Sequence, residues 1–286
     1  MAAAGVCLAS APGFAALDND DAPAIAKGSA IVEGAIRRGP TSARRLALVF
    51  TGHDHAEAGE TILDELAKHR AQGSFFLTGD FLANPRLAPL IKRIVAEGHY
   101  LGPHSDKHLL YCEWEPPKKR LVSREEFDDD LTANLRKIAG FTPERPVYFL
   151  PPYEHADAEI ARWTEARGMR LVNFTHGTRS NADYTEDDAP NFVPSREILE
   201  SILRRERDDP HGLSGFLLLL HIGTSPKRTD KFADHFDDLL NRLAERDYEF
   251  VRVDELLDWR EPGGERRLFG GRGKAPGAGG SRGSPP

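Results

Sequence analysis

Of the eleven histidines in this chain of 286 residues, two have a spacing suited to chemistry: His104 and His108, in His104-Ser-Asp-Lys-His108. Imidazole is the commonest metal ligand near neutral pH. Residues four apart share one face of a helical turn. The Gly102-Pro103 approach puts the pair at a strand end or loop, where sites are usually built. An HxxxH pair is weak alone, because surface and core histidines fall at this spacing by chance. Three further polar clusters accompany it: Thr51-Gly-His-Asp-His55, Pro151-Pro-Tyr-Glu-His155, and His221, which closes the apolar run Phe216–Leu220. A histidine ending so apolar a strand would be costly if buried unpaired. Singly these read as a turn, a proline-punctuated loop and a satisfied core histidine. Together, at the ends of strands in one sheet, they predict a site.

The chemistry they suit is hydrolysis. Two imidazoles and one carboxylate make a catalytic zinc set that leaves a position for water. The metal polarises a carbonyl and lowers the pKa of water toward about 7. Asp54 is the natural carboxylate partner of His104 and His108, and His53, Glu154 and His221 are the candidates for acid/base work.

The elements that must position these groups alternate. Buried-type strands are predicted at Leu46–Phe50, Ser74–Thr78, Tyr100–Leu101, Val147–Leu150, Arg170–Phe174, Phe216–His221 and Tyr248–Val253. Helical periodicity covers Gly59–Ala71, a stretch from Asn84-Pro85 to Gly98, Ala156–Arg167, Ser195–Arg205 and Asp234–Arg246. Ser123-Arg-Glu-Glu126 is a capping box that predicts a helix to about Ile138. Alternation of this kind implies an α/β fold with a parallel sheet. Nearly every polar cluster follows a strand, where α/β barrels carry their chemistry.

Composition narrows the classes. With 40% hydrophobic residues the chain can bury a sizeable core. A net charge of -7 and no long central basic run argue against a nucleic-acid partner. No stretch reaches the roughly 18–20 apolar residues that span a bilayer. Two cysteines, Cys7 and Cys112, make no disulfide framework. Residues 1–17 are small and apolar and end like a secretory signal, though without its basic start, which favours export. Residues 18–45 read as a polar lead-in, 46–260 as the catalytic domain, and 261–286 as a Gly/Pro/Arg-rich tail too poor in apolar surface to fold.

From Leu46 to Leu257 the chain resembles the polysaccharide deacetylases with the NodB homology domain, of the carbohydrate esterase 4 kind. The matching pieces, in the family's order and spacing, are Phe50 with the acidic loop after it, Ser74-Phe-Phe-Leu-Thr-Gly79, His104-Ser-Asp-Lys-His108, Phe149-Leu-Pro-Pro-Tyr153 and Leu218-Leu-Leu-His221. The resemblance implies a distorted (β/α) barrel of about seven parallel strands. It also implies an Asp-His-His divalent metal site, here zinc, and removal of N- or O-linked acetyl groups from an acetylated carbohydrate. By position His221 is the family's general acid, and the backbone N–H after the double proline, at Tyr153, helps hold the oxyanion.

Two departures mark a divergent branch. The family's Phe-Asp-Asp-Gly is Phe50-Thr-Gly-His-Asp-His55 here. Without a gap, Thr51 and Gly52 fall at the base and metal-ligand positions and can do neither task. A two-residue shift puts His53 at the base and Asp54 at the ligand position, with Glu154 the rival base. The family's arginine before Pro-Pro-Tyr, which pairs with the missing aspartate, is Leu150. The loop Asn173–Tyr184 falls where the family contacts substrate. Its Asn181 suits sugar hydroxyls, and Tyr184 or Trp114 suits a sugar face, with Tyr153 a further substrate-binding candidate; a turn-rich connector is the plain alternative. Arg228-Thr-Asp-Lys231 reads as a salt-bridged helix start. The rival to an active deacetylase is a carbohydrate-binding pseudoenzyme on the same barrel, which the altered first motif favours.

Overall fold

The structure is a computed structural model that describes residues 22–257 except 117. The expected signal segment at 1–17 and the tail at 261–286 lie outside the described residues. In chain order the strands are β1 (Ala30–Val32), β2 (Ala35–Arg38), β3 (Arg45–Gly52), β4 (Gly73–Leu77), β5 (Tyr100–Pro103), β6 (Tyr148–Phe149), β7 (Arg170–Leu171), β8 (Leu217–His221) and β9 (Glu249–Phe250). The helices are α1 (Gly59–Lys68), α2 (Gly79–Ala83), α3 (Ala88–Ala96), α4 (Arg124–Ile138), α5 (Ala158–Glu165), α6 (Ser195–Asp208), α7 (Phe236–Ala244) and α8 (Val253–Leu257).

The sheet closes on itself. β5, β4, β3 and β8 run parallel in that order. The Leu150 N–H donates to the Pro103 carbonyl, which sets β6 beside β5, and β6 pairs in parallel with β7. β2 closes the ring through the bridges Ile36–Val172 and Arg38–Phe216. Seven strands among the described residues thus form a distorted (β/α) barrel. The segment expected as a lead-in supplies one of its staves.

Both faces of β3 are covered, which is why it reads as a continuous apolar run. Leu46, Leu48 and Phe50 pack outward against Ile62, Leu63 and Leu66 of α1 and Leu239, Leu240 and Leu243 of α7. Ala47 and Val49 pack inward with Leu217, Leu219, Phe76, Tyr148 and Ile36. Each such fully buried leucine or phenylalanine contributes about 1.5–3 kcal/mol. α8 plugs the barrel where the strands begin, with Leu256 and Leu257 in the interior cluster. The last predicted strand is cut to Glu249–Phe250, and Val253 starts α8, which buries Val253, Leu256 and Leu257 in that cluster. The helix predicted after Asn84 is α3, and a short helix that was not predicted, α2, precedes it, its first turn capped by Thr78, which accepts the Phe81 N–H at 3.2 Å. The capping box at Ser123 forms as predicted.

Candidate functional site

The ends of β3, β5, β6 and β8 meet at one cleft of about 640 Å³. His53, Asp54, His104, His108, Tyr153, Glu154, Tyr184 and His221 all line it. Asn181 does not. It lies on the 3-10 turn Ser180–Ala182, and Asn191, further along the same loop, reaches the cleft instead.

His104 and His108 are not on a helical turn. They occupy an irregular loop in which Ser105 (φ 74°) and His108 (φ 53°) are left-handed. Non-glycine residues pay for that conformation, and it persists where the surroundings over-determine it. Here α4 does so. Asp130 accepts the Asp106 N–H at 2.9 Å, the Lys107 N–H at 3.0 Å and the Tyr111 hydroxyl at 3.1 Å. One turn on, Asn134 accepts the His104 N–H at 3.1 Å and donates to the Leu77 carbonyl at 3.2 Å. The start of α2 closes the other side, with Gly79 N–H donating to Ser105 O at 3.0 Å. A Cβ at Gly79 would stand 1.7 Å from Asp106 Oδ1, so only glycine fits there.

His104 is buried, and its Nδ1 lies 2.9 Å from the Leu150 carbonyl. Donation from Nδ1 leaves Nε2 as an acceptor, the tautomer of a metal-ligating histidine with an outer-shell carbonyl partner. Burial, reinforced by the neighbouring His108, pushes His104 well below the ordinary imidazole range. Burial and then the charges of His53 and His221 push His108 down to about 4. Both rings are neutral at pH 7, as ligands must be. Their centroids are 5.2 Å apart, and His53 stacks on His108 at 4.7 Å. Leu150, at the family's arginine position, is fully buried in the barrel interior.

The double proline turns the chain into two successive left-handed residues, Tyr153 (φ 57°) and Glu154 (φ 51°). Asn173 Nδ2 donates to the Glu154 carbonyl at 2.6 Å and fixes the turn. Among the described residues the Tyr153 N–H has no acceptor. Glu154 Oε1 lies 3.9 Å from His104 Nε2. Burial, with a smaller contribution from Asp183 and against the pull of His221, raises the Glu154 carboxyl to about 7.

At the end of β8, Asp183 takes hold of His221 twice. Its Oδ1 is 2.6 Å from His221 Nδ1, and its Oδ2 accepts the His221 N–H at 2.8 Å. Burial lowers His221, but the Asp183 carboxylate outweighs it and the net shift is upward. Arg228 secures the loop that carries Asp183. It is fully buried and donates to the Thr185 and Val193 carbonyls at 2.8 and 2.9 Å and to Ser195 Oγ at 3.0 Å. The expected salt-bridged helix start is thus a buried tie between loops.

At the end of β3, Thr51 pairs in register with His221. A Cβ on Gly52 would meet Ile222 Cγ2 at 2.7 Å and Leu77 Cδ2 at 2.8 Å, so no ligand side chain fits at that position. Two residues on, His53 Nδ1 is 3.1 Å from Thr78 Oγ1 and Asp54 is 3.5 Å from His53 Nε2. Donation from His53 Nδ1 to Thr78 would leave the ring's lone pair on Nε2, which faces Asp54.

The donor set suits a divalent ion: two neutral imidazoles with carboxylates in the same cleft. The cleft donors are not drawn together tightly. Among the described residues, the trio with ligand atoms mutually within 4.8 Å is Glu65, His69 and Asp237, between α1 and α7. There Asp237 Oδ1 is already met by Lys68 and His69, each at 2.7 Å, and by Asn241 at 3.0 Å, so that cluster is a saturated ion-pair network.

The polysaccharide deacetylase profile matches residues 38–172. Over that stretch the chain is similar to the polysaccharide deacetylase family. It is 25% identical over 214 residues to a peptidoglycan-N-acetylglucosamine deacetylase of Listeria monocytogenes, which covers 74% of this chain but only 39% of that longer protein. It is 28% identical over 192 residues to a chitooligosaccharide deacetylase of Rhizobium leguminosarum, covering 66% of this chain and 73% of the relative. Among solved structures, a family 4 carbohydrate esterase pseudoenzyme from Bacillus anthracis shares the fold with a TM-score of 0.63 at 20% identity, over 80% of this chain and 70% of that one.

Asp183, Thr78 and Asn173 were not singled out from sequence. The dyad partner Asp183 lies in a loop rich in Asn, Ser, Thr and Asp, and only the fold selects one carboxylate from it.

Proposed function

We propose that this chain is a metal-dependent hydrolase that removes acetyl groups from an acetylated polysaccharide or oligosaccharide, outside the cytoplasm. The observation that carries the reading is the convergence of His104, His108, His221, Tyr153 and a buried carboxylate on one cleft. His104 and His108, with Asp54, would hold one divalent ion, zinc by donor type. When bound, such an ion polarises the acyl oxygen and makes water more acidic. The unpartnered Tyr153 N–H is a donor for the oxyanion. His53, through Nε2, takes the proton of the attacking water, and Glu154 is its rival for that task. His221, whose pKa Asp183 raises, gives its proton to the leaving nitrogen or oxygen. Tyr153 and Tyr184 flank the substrate.

The second reading, a glycan-binding pseudoenzyme, is favoured by Thr51 and Gly52 at the family's aspartate positions and by the strongly exposed Asp54. Acetate release from acetylated chitooligosaccharides and acetylated xylan separates the two. Release that stops with chelator and returns with zinc supports the hydrolase. Glycan binding without release under every metal condition would establish the pseudoenzyme.

A further inference from the structure

The segment Arg228-Thr-Asp-Lys231 ties down more than the loop of Asp183. It follows β8 and leads into a 3-10 turn at Phe232–His235, and it makes bonds on two sides. On the Asp183 side, beyond the bonds of Arg228, Thr229 Oγ1 donates to Asp187 Oδ2 at 2.6 Å and Asp230 Oδ2 accepts the Ser195 N–H at 2.6 Å. On the other side it reaches the loop between β3 and α1, which carries His53 and Asp54. Lys231 Nζ donates to Glu57 Oε1 at 2.9 Å, to Thr224 Oγ1 at 2.7 Å and to the Ser225 carbonyl at 3.0 Å. An ammonium has three N–H bonds to give. Glu57 Oε1 also accepts the Thr224 N–H at 2.7 Å and the Thr224 hydroxyl at 3.1 Å.

The two loops touch through their backbones beside this tie. A Cβ on Gly223 would stand 2.3 Å from Ala56 N and 2.4 Å from the His55 carbonyl carbon, so only glycine permits the approach. The root of Lys231 is fixed as well, because the next residue, Phe232, is buried with Phe236, Leu220 and Ile62 in the outer core. Burial raises the Glu57 carboxyl, but Lys231 and the Thr224 N–H outweigh it, so the net shift is downward and the group is a carboxylate at pH 7. Thr224 lines the cleft with His53, Asp54 and His55, whereas Glu57 and Lys231 stand behind it. An ion pair this open to water adds little to global stability. What three donors on one oxygen do is fix where a loop lies.

Building on the deacetylase reading, we propose that Lys231, acting through Glu57 and Thr224, is a positioning residue that holds the His53–Asp54 loop in place relative to His221. One segment after β8 then sets both sides of the reaction centre, Arg228 for the acid and Lys231 for the base and carboxylate. The test compares the full-length parent with Lys231→Met, which keeps the apolar stem and removes the charge, with Glu57→Gln, and with the double variant. Residues that orient metal ligands typically change affinity or activity by about 10- to 100-fold. Lys231→Met should bind zinc roughly tenfold more weakly in chelator competition. At saturating zinc its kcat on N-acetylchitopentaose should fall roughly tenfold, with KM within about twofold. Amides of residues 53–57 should exchange with deuterium faster, while those of β8 exchange as in the parent. The alkaline limb of kcat, which belongs to His221 and Asp183, and the urea midpoint should stay where they are. The double variant should be no worse than the poorer single variant, because both changes undo one tie. Parental exchange at 53–57, parental zinc affinity together with parental kcat, or additive losses in the double variant would overturn the proposal. So would a loss of activity that only follows a fall in the urea midpoint. A parent that releases no acetate under any metal condition sinks the deacetylase reading instead, and exchange and zinc affinity then decide the role of Lys231.

Discussion

β3 and β8 lie side by side and end at the same level, with Thr51 opposite His221, yet the two ends are built differently. At the β8 end one buried carboxylate engages both the ring and the backbone of His221, and a buried arginine fixes the loop that supplies it. At the β3 end the Thr51 hydroxyl is buried without a partner, Gly52 has no room for a side chain, and the next carboxylate, Asp54, is 69% exposed. In the proposed assignment the acid half, His221 with Asp183, is preorganised, and the base and carboxylate half would lie in the loop after β3, where His53 leans on Thr78 and His108. Preorganised groups can be read from geometry. The groups on the loop after β3 are not held in that way, so the β3 side is where mutation is most informative.

The largest effect should come from removing the shared centre. His104→Ala with His108→Ala is expected to abolish both bound zinc, measured by elemental analysis, and acetate release; retained stoichiometry would move the metal elsewhere. Next is the base. Positioned acid/base groups contribute about 10²- to 10⁴-fold, so His53→Ala should lower turnover on that scale with zinc saturating. If His53→Ala is near normal and Glu154→Ala is not, the β3 side has surrendered the base to the Pro-Pro-Tyr turn. A smaller change, in pH rather than rate, tests the β8 side. His221 works while protonated, so its raised pKa keeps activity up to a pH above the ordinary imidazole value of about 6.5. Asp183→Asn should move the alkaline limb of kcat down toward or below that value. The same linkage makes the His221–Asp183 pair stabilising below about pH 6.5, and that stability is lost as pH rises through the folded pKa. The Tm gap between parent and Asp183→Asn should therefore shrink from pH 6 to pH 9. The smallest effect should be on stability alone: Gly52→Ala is expected to cost about 1–3 kcal/mol by overpacking, read in urea. No cost would mean that the β3 end can open to a side chain after all.

Much of this was legible in the sequence, and for identifiable reasons. Buried strands such as Leu217–His221 and amphipathic helices such as α7 carry their own period, and the Ser123 capping box marks where α4 begins. The histidines were legible because their types and order are unusual. What escaped was contact at long sequence separation. β2 becomes a barrel stave only through single bridges to Val172 and Phe216, and its own residues are too few to show a period. Asp183 meets His221 across 38 positions, and Asp130 and Asn134 meet the histidine loop across about the same span or less. The HxxxH spacing itself misled on local structure, because tethers from α4 hold Ser105 and His108 left-handed where the spacing alone predicts a helical turn.

The division of labour between the two strand ends is tested most directly by measuring zinc content and acetate release together on His221→Ala. If β8 carries only the acid, the variant keeps its zinc, keeps its fold, and loses turnover by about 10²- to 10⁴-fold. Loss of zinc would make His221 a ligand, and near-parental acetate release would remove the acid from β8; either result would contradict the assignment.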